Sequence, residues 1–276
     1  MGWTVEWIPR VDSTNRELRR RVARGRGVGD RTVLAAREQT AGRGRHDRVW
    51  HAVPGRDLTC SLFVRTKAPP TRMPSLGMAA AAGVARFVED LGVEAGLKWP
   101  NDVLARGHKL AGLLTVSAGG AAGGAVIGLG LNVNMTRAGA EAIDQPATSL
   151  RIELGREIPV EPLLDDLLRT AGPEIDRWRE RGFNAVRATW ERLGQPPGAS
   201  LCRLDSGAGE TGTFAGFGAD GQLLLRDGDR LREVWSGEWG EPTDAGFARN
   251  PGGWKSSGQR SDDSRKGRDP RSGKSS

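Results

Sequence analysis

The sequence is short of the residues that build covalent or metal frameworks. It has two cysteines, Cys60 and Cys202, far apart and without Cys-x-x-Cys spacing, which argues against a disulfide scaffold or a zinc ribbon and for a reducing cytosol. Its three histidines, His46, His51 and His108, stand at scattered positions and form no metal-ligand motif. Long apolar runs are missing too. The longest, Leu76 to Ala85, is about half of the roughly 20 residues that a membrane span needs. No charged segment followed by an apolar stretch opens the chain. These absences predict a soluble cytoplasmic protein with no membrane partner.

Excess charge is scarcer than the formal net of +7 suggests. Residues 249–276 carry eight Lys or Arg against three Asp, a net of +5 that leaves +2 on residues 1–248. A nearly neutral body argues against a protein that grips nucleic acid along its surface. The Ser-, Gly- and Arg-rich segment has too little apolar surface to fold, and disorder is expected over 241–276.

Asp12-Ser13-Thr14-Asn15 supplies capping oxygens for a helix that ends in Gly25 to Gly29. Val33 to Ala36 reads as a short buried strand, Asp57 to Val64 as a second, and Met73 to Leu91 as a buried helix carrying Met73 and Met78. Three strand-like segments follow, Val93 to Trp99, Lys109 to Ser117 and Ala125 to Val133, with a turn at Gly119 to Gly124. Helical patterns span Pro162 to Trp178 and Phe183 to Leu193, with Trp178 and Trp190 expected in the core. After Gln195-Pro196-Pro197-Gly198 the chain turns to short strands, Ser200–Leu204, Thr211–Phe217, Gln222–Arg226 and Leu231–Trp235, with hairpin signals at Asp220-Gly221 and Asp227-Gly228. The layout predicts an α+β domain over 1–193, a small SH3-like β-barrel over 194–240, and the basic tail. The arginines at 16, 19, 20, 21 and 24 read as a solvated helix face.

Two loops carry chemistry. In Gly42-Arg43-Gly44-Arg45, glycines let backbone amides approach an anion while guanidinium groups supply bidentate charge, although the tetrapeptide alone also suits an exposed hinge. Trp50 is placed either to stack on a purine or as an ordinary half-buried aromatic. In Lys98-Trp99-Pro100-Asn101-Asp102 the proline and Asn-Asp fix a turn, Lys98 offers a point charge, and Asp102 offers a hard oxygen ligand or an orienting carboxylate. Lys109 opens the next segment beside Ala111 and Gly112, whose small side chains let a ligand lie on the backbone. Asn132 and Asn134 follow Gly128-Leu129-Gly130-Leu131, where they close a turn or bond a ribose and phosphate.

The series Ser13-Thr14-Asn15, Gln39-Thr40-Ala41-Gly42-Arg43-Gly44-Arg45, Lys98-Trp99-Pro100-Asn101-Asp102, Lys109-Leu110-Ala111-Gly112 and Gly128-Leu129-Gly130-Leu131-Asn132 resembles the biotin protein ligases in order and approximate spacing. The likeness runs from about residue 7 to 240. It implies a mixed sheet flanked by helices, as in class II synthetases, with an SH3-like C-terminal barrel. It also implies an enzyme that joins biotin to ATP, with Mg²⁺, as biotinyl-5′-adenylate. Biotin then passes to one lysine of a biotin carboxyl carrier domain of an acyl-CoA carboxylase. By the same resemblance Ser13, Thr14, Asn15, Gln39, Gly42, Arg43, Gly44, Arg45, Lys109 and Gly112 hold biotin. Trp50, Lys98, Asn101 and Asn132 serve ATP. Lys109, Arg45 and Asp102 are the expected catalytic set, with Asp102 positioning Lys109 or the metal.

Two departures from that family stand out. His46-Asp47 follows the second arginine where further Arg and Gly are common, and only 12 residues precede Ser13, so a short form without a DNA-binding domain is expected. Members are monomers or edge-to-edge homodimers. The nearest rival reading is a lipoate or octanoate ligase of the same fold; a second is a nucleic-acid-binding protein.

Overall fold

The computed structural model describes residues 2–25, 27–118, 123–143, 145–205 and 209–242, and of Asp47 only the backbone. The expected turn at 119–124 falls largely outside these residues, and the expected disordered tail does so from 243 onward.

Seven strands form the main sheet: β1 (Thr4–Val11), β2 (Thr32–Gln39), β3 (Leu58–Val64), β4 (Ala95–Lys98), β5 (Asp102–Ala105), β6 (His108–Ser117) and β7 (Ala125–Leu131). Their spatial order is β1-β2-β3-β7-β6-β5-β4. Only β1 and β2 are parallel; the other pairs are antiparallel. One face carries α1 (Thr14–Ala23), whose Leu18 and Val22 pack on Leu34, Phe63 and Val126. The opposite face carries α2 (Met73–Asp90), itself covered by α5 (Val160–Arg181). Those two helices cross closely because α2 is rich in alanine and glycine. A Cβ at Gly83 would stand 2.5 Å from the Cα of Ala171. Trp178 donates its indole hydrogen to Ser75 Oγ at 3.0 Å, so this buried tryptophan is also satisfied.

The C-terminal segment forms a five-stranded antiparallel sheet, β8 (Ser200–Arg203), β9 (Thr211–Phe217), β10 (Leu223–Asp227), β11 (Arg230–Val234) and β12 (Trp239–Gly240), in the order β11-β10-β9-β8-β12. Phe214, Phe217, Leu223 and Trp239 join the same apolar cluster as the main sheet. Phe217 meets the rings of Phe183 and Trp190 edge-on at 5.5 and 6.1 Å. Trp99 donates its indole hydrogen to the carbonyl of Gly221 at 2.9 Å, which fixes the Trp-Pro turn against this second sheet.

Several elements differ from expectation. The segment 93–99 and the residues after it form a hairpin, β4 and β5, around Lys98 to Asp102, with a cis Trp99–Pro100 bond inside the turn. The helix expected over 183–193 is a 3-10 turn, Gly182–Ala185, followed by α6 (Arg187–Leu193). Two five-residue helices, α3 (Arg137–Glu141) and α4 (Leu150–Leu154), flank the stretch after β7. Trp178, Trp190, Met73 and Met78 are buried as expected. On α1, Arg16, Arg20 and Arg21 pair with Asp12, Glu17 and Glu6. No helix among the described residues is long and apolar enough to cross a membrane.

Candidate active site

The start of α1, the end of β2, the hairpin loop after it, the β4–β5 turn and the glycine-rich middles of β6 and β7 converge on one cleft of about 130 Å³. Ser13, Thr14, Asn15, Gln39, Arg43, Gly44, Arg45, Trp50, Lys98, Asn101, Asp102, Lys109 and Gly112 all line it. The arginine loop and the Lys-Trp-Pro turn therefore face the same space. Gly42 and Asn132 do not line it. Gly42 accepts the backbone hydrogen of Trp50 at 3.1 Å and so shapes the loop. Asn132 is buried and donates to the carbonyls of Thr148 and Lys109 at 2.9 and 3.5 Å.

One end of the cleft is neutral and polar. Ser13 caps α1, accepting from the Arg16 amide at 3.5 Å. Gln39 Oε1 accepts from both the backbone and the hydroxyl of Thr14, at 2.7 and 3.0 Å, and the hydroxyls of Thr14 and Ser61 lie 2.8 Å apart. Asn15 donates to the carbonyl of Leu114 at 3.1 Å and fills the space over Gly128. Such preformed donors and acceptors suit a compact neutral heterocycle. Cys60 lines the same region, and burial pushes its thiol up to about 12, so it is a neutral lining group and no nucleophile.

The floor is made of glycines. Gly112 on β6 and Gly130 on β7 are paired residues, and the indole of Trp50 lies across them. A Cβ at Gly130 would come within 2.2 Å of the indole Cε2, and one at Gly112 within 3.0 Å of Cζ3. Only a bare backbone admits the ring at this depth. The slot was expected to take a ligand directly; the structure seats Trp50 in it.

The other end is cationic. Lys109 Nζ lies 2.9 Å from Asp102 Oδ2 and 5.9 Å from the centre of the Trp50 ring. Arg45 donates to Asn101 Oδ1 at 3.3 Å, and Asn101 in turn donates to the carbonyl of Leu113 at 2.9 Å. Burial draws the Arg45 guanidinium below the ordinary arginine range, opposed by the charges of Asp102, Asp205 and Glu238; it stays protonated at neutral pH. Arg48 and Lys98 both reach Glu238, at 2.6 and 3.5 Å. Two buried atoms, Trp50 Nε1 and Asp102 Oδ1, meet no hydrogen-bond partner among the described residues. Both atoms belong to residues that line the cleft, and an orphaned buried polar atom there calls for a ligand or ion as its partner.

Sequence reasoning passed over Glu238 and Gln145 as lining residues. Gln145 also borders a neighbouring depression of about 400 Å³ lined by Arg137, Ile143, Ala147 and Thr148. No local pattern marks either residue; each arrives by the packing of a distant segment. Among the described residues no group of three or more His, Cys, Asp or Glu side chains is placed to hold a metal.

The sequence model of the Biotin/lipoate A/B protein ligase family matches residues 7–132. The chain is 40% identical to a biotin–[acetyl-CoA-carboxylase] ligase of Mycobacterium tuberculosis over 246 residues, covering 86% of this chain and 89% of that one. It is 33% identical to the ligase of the same description from Paracoccus denitrificans, covering 79% and 92%. Against the bifunctional ligase/repressor of Bacillus subtilis the identity is 29%, and the match spans 65% of that protein's length. The fold superposes on a biotin protein ligase from Aquifex aeolicus in complex with biotin and ATP with a TM-score of 0.71 and 26% identity, covering 86% of this chain and 97% of that one. Sequence and fold agree, and the chain belongs to the biotin protein ligases of this family.

Proposed function

We propose that the chain is an ATP-dependent biotin protein ligase acting in the cytoplasm, with residues 1–193 as its catalytic unit and the C-terminal sheet closing one side of the cleft. The observation that carries this reading is the meeting of two cationic loops, from residues 42–50 and 98–102, around the Lys109–Asp102 pair in one cleft. The relatives' descriptions and the biotin and ATP held by the Aquifex enzyme support it.

In the first half-reaction the carboxylate oxygen of biotin attacks the α-phosphorus of ATP and the bond to pyrophosphate breaks. Two anions must approach, so fixed positive charge lowers the barrier more than any proton transfer. Ser13, Thr14, Asn15 and Gln39 orient the ring system of biotin at the neutral end. Gly42 and Gly44 shape the loop that brings Arg43 and Arg45 over the side chain, and Gly112 leaves room beside it. Lys109 neutralises both the carboxylate and the α-phosphate, with Asp102 as its anchor. Lys98 and Asn101 serve the phosphate side, Trp50 the base, and Asn132 acts indirectly by bracing the carbonyls of Lys109 and Thr148.

The donor set fits Mg²⁺ in one respect: Asp102 Oδ1 is a buried hard oxygen with its second oxygen already paired. A metal held through one carboxylate would arrive with the triphosphate and neutralise the departing pyrophosphate.

In the second half-reaction the neutral amine of an acceptor lysine attacks the acyl carbon, AMP leaves with the bonding pair, and the amine proton passes to phosphate or solvent. The acceptor is a biotin carboxyl carrier domain of an acyl-CoA carboxylase. The test is intact-mass analysis of such a domain after incubation with the chain, biotin, ATP and Mg²⁺. One added biotin on the native domain and none on its Lys→Ala variant is the expected result; an unchanged mass refutes the reading.

A further inference from the structure

The tip of the arginine loop is held by the second sheet. Arg45 donates to the carbonyl of Gly237 at 3.3 Å. His46 Nε2 lies 3.5 Å from Asp205 Oδ2, whose other oxygen accepts from Arg203 at 2.7 Å. Arg48 lies 2.6 Å from one oxygen of Glu238, and the other oxygen is 3.5 Å from Lys98. A single carboxylate on the approach to β12 thus spans both cationic loops. Within the loop, backbone bonds run from Trp50 to Gly42, from Gly44 to Arg48 and from Arg48 to Arg45. His46 sits at the tip with a φ of 52°, in the left-handed region where histidine, like Asn and Asp, is one of the commoner non-glycine residues.

We propose that Glu238 and Asp205 are positioning residues that clamp the Arg45–Arg48 tip over the cleft, so that the second sheet sets how long a bound acyl-adenylate stays. Ion pairs this exposed are individually weak and sensitive to salt. Weakness suits the task, because a loop that must open once per turnover cannot be held by a strong lock. The choice of ligand rests on the ligase reading; the clamp belongs to the ligand-free chain.

The test uses the full chain and two readouts. In the first, trypsin nicks the ligand-free protein after Arg45 and Arg48, at a rate that follows the open population. Glu238→Gln should nick about fivefold faster or more, His46→Gln should move in the same direction by less, and Glu233→Gln, an exposed acid on β11, should match the parent. Raising salt to about 0.5 M should speed nicking of the parent and leave Glu238→Gln nearly unchanged. In the second readout, preformed adenylate should leave Glu238→Gln faster by a similar factor in a chase with unlabelled biotin. Nicking at the parent rate in both Glu238→Gln and His46→Gln overturns the clamp. If Glu238→Gln folds poorly, judged by its melting temperature, His46→Gln decides alone. A parent that makes no adenylate removes the ligase reading, while the trypsin readout still decides the clamp.

Discussion

Lys109 Nζ lies 2.9 Å from Asp102 Oδ2 across the neighbouring strands β5 and β6, and the other oxygen of that carboxylate is buried without a partner among the described residues. The pair is two-sided: the carboxylate fixes the ammonium, and its spare oxygen lies buried in the lining of the cleft. Lys109→Ala should slow pyrophosphate release by about 10²- to 10³-fold, the usual cost of removing one donor aimed at developing charge. Asp102→Asn should cost about tenfold, because Lys109 stays but loses its anchor. The double variant should fall close to Lys109→Ala alone, since residues in direct contact do not act additively. Single-turnover rates on the four chains check this.

Trp50 and Gly130 form a second coupled pair. Gly130→Ala places a methyl group where the indole now lies, so it should lower stability by about 1–3 kcal/mol and raise the KM for ATP. Trp50→Ala in the same chain should restore most of the stability while leaving turnover poor. Thermal melts of the two single variants and the double variant give the coupling directly.

How much of this was legible beforehand divides along physical lines. The two loops were readable because glycine, proline and charged residues at fixed offsets restrict a backbone locally, and so were Met73–Asp90 and Thr211–Phe217 from their periodicity. Strand β1 was not, because Ile8 and Pro9 break the alternation begun by Val5-Glu6-Trp7, and its partner is a parallel neighbour, β2, with no hairpin turn to signal it. Helices α3 and α4 are too short to show a period. Strand β5 was not legible, because the four residues Asp102–Ala105 are too few to show a period, although the turn before it could be read from Pro100 and Asn101-Asp102. Among site residues, Glu238 stands between Glu233 and Glu241 with nothing local to single it out, and only tertiary packing brings it to Arg48 and Lys98. Asn132 shows the converse: motif order drew attention to it, and the structure puts it beneath the cleft as a brace.

The ion pair between Glu89 on α2 and Arg192 on α6 gives a pH signature. Arg192 Nη1 donates to Glu89 Oε1 at 2.6 Å and Nη2 to Oε2 at 2.9 Å. These bonds from Arg192 hold the Glu89 carboxyl below its usual value of 4.5. A depressed folded-state pKa stabilises the protein above the unfolded value, and the contribution is lost as pH falls through the folded one. Glu89→Gln should therefore melt below the parent at pH 7, and the gap should narrow as pH falls below the usual value of 4.5 and close once it passes the lower folded-state value. Melting curves of both chains across that range report it.

Cys60 and Cys202 should resist alkylation at pH 8 in the native chain. Both side chains are buried, and burial raises both thiols, that of Cys60 to about 12. Maleimide or iodoacetamide labelling should appear only on unfolding, with two additions by mass. Prompt labelling of Cys60 in the native state would contradict the closed floor of the cleft.

The central claim is that two cationic loops and Lys109 together make an acyl-adenylate from biotin. Its most direct measurement is pyrophosphate release from ATP and Mg²⁺ with biotin, with lipoate or octanoate, and with no acid, in the parent, Lys109→Ala and Arg45→Ala. The account predicts release that depends on biotin, is negligible with the other acids, and falls by about two orders of magnitude or more in Lys109→Ala. Release that is indifferent to biotin, or that survives intact in both variants, would contradict it.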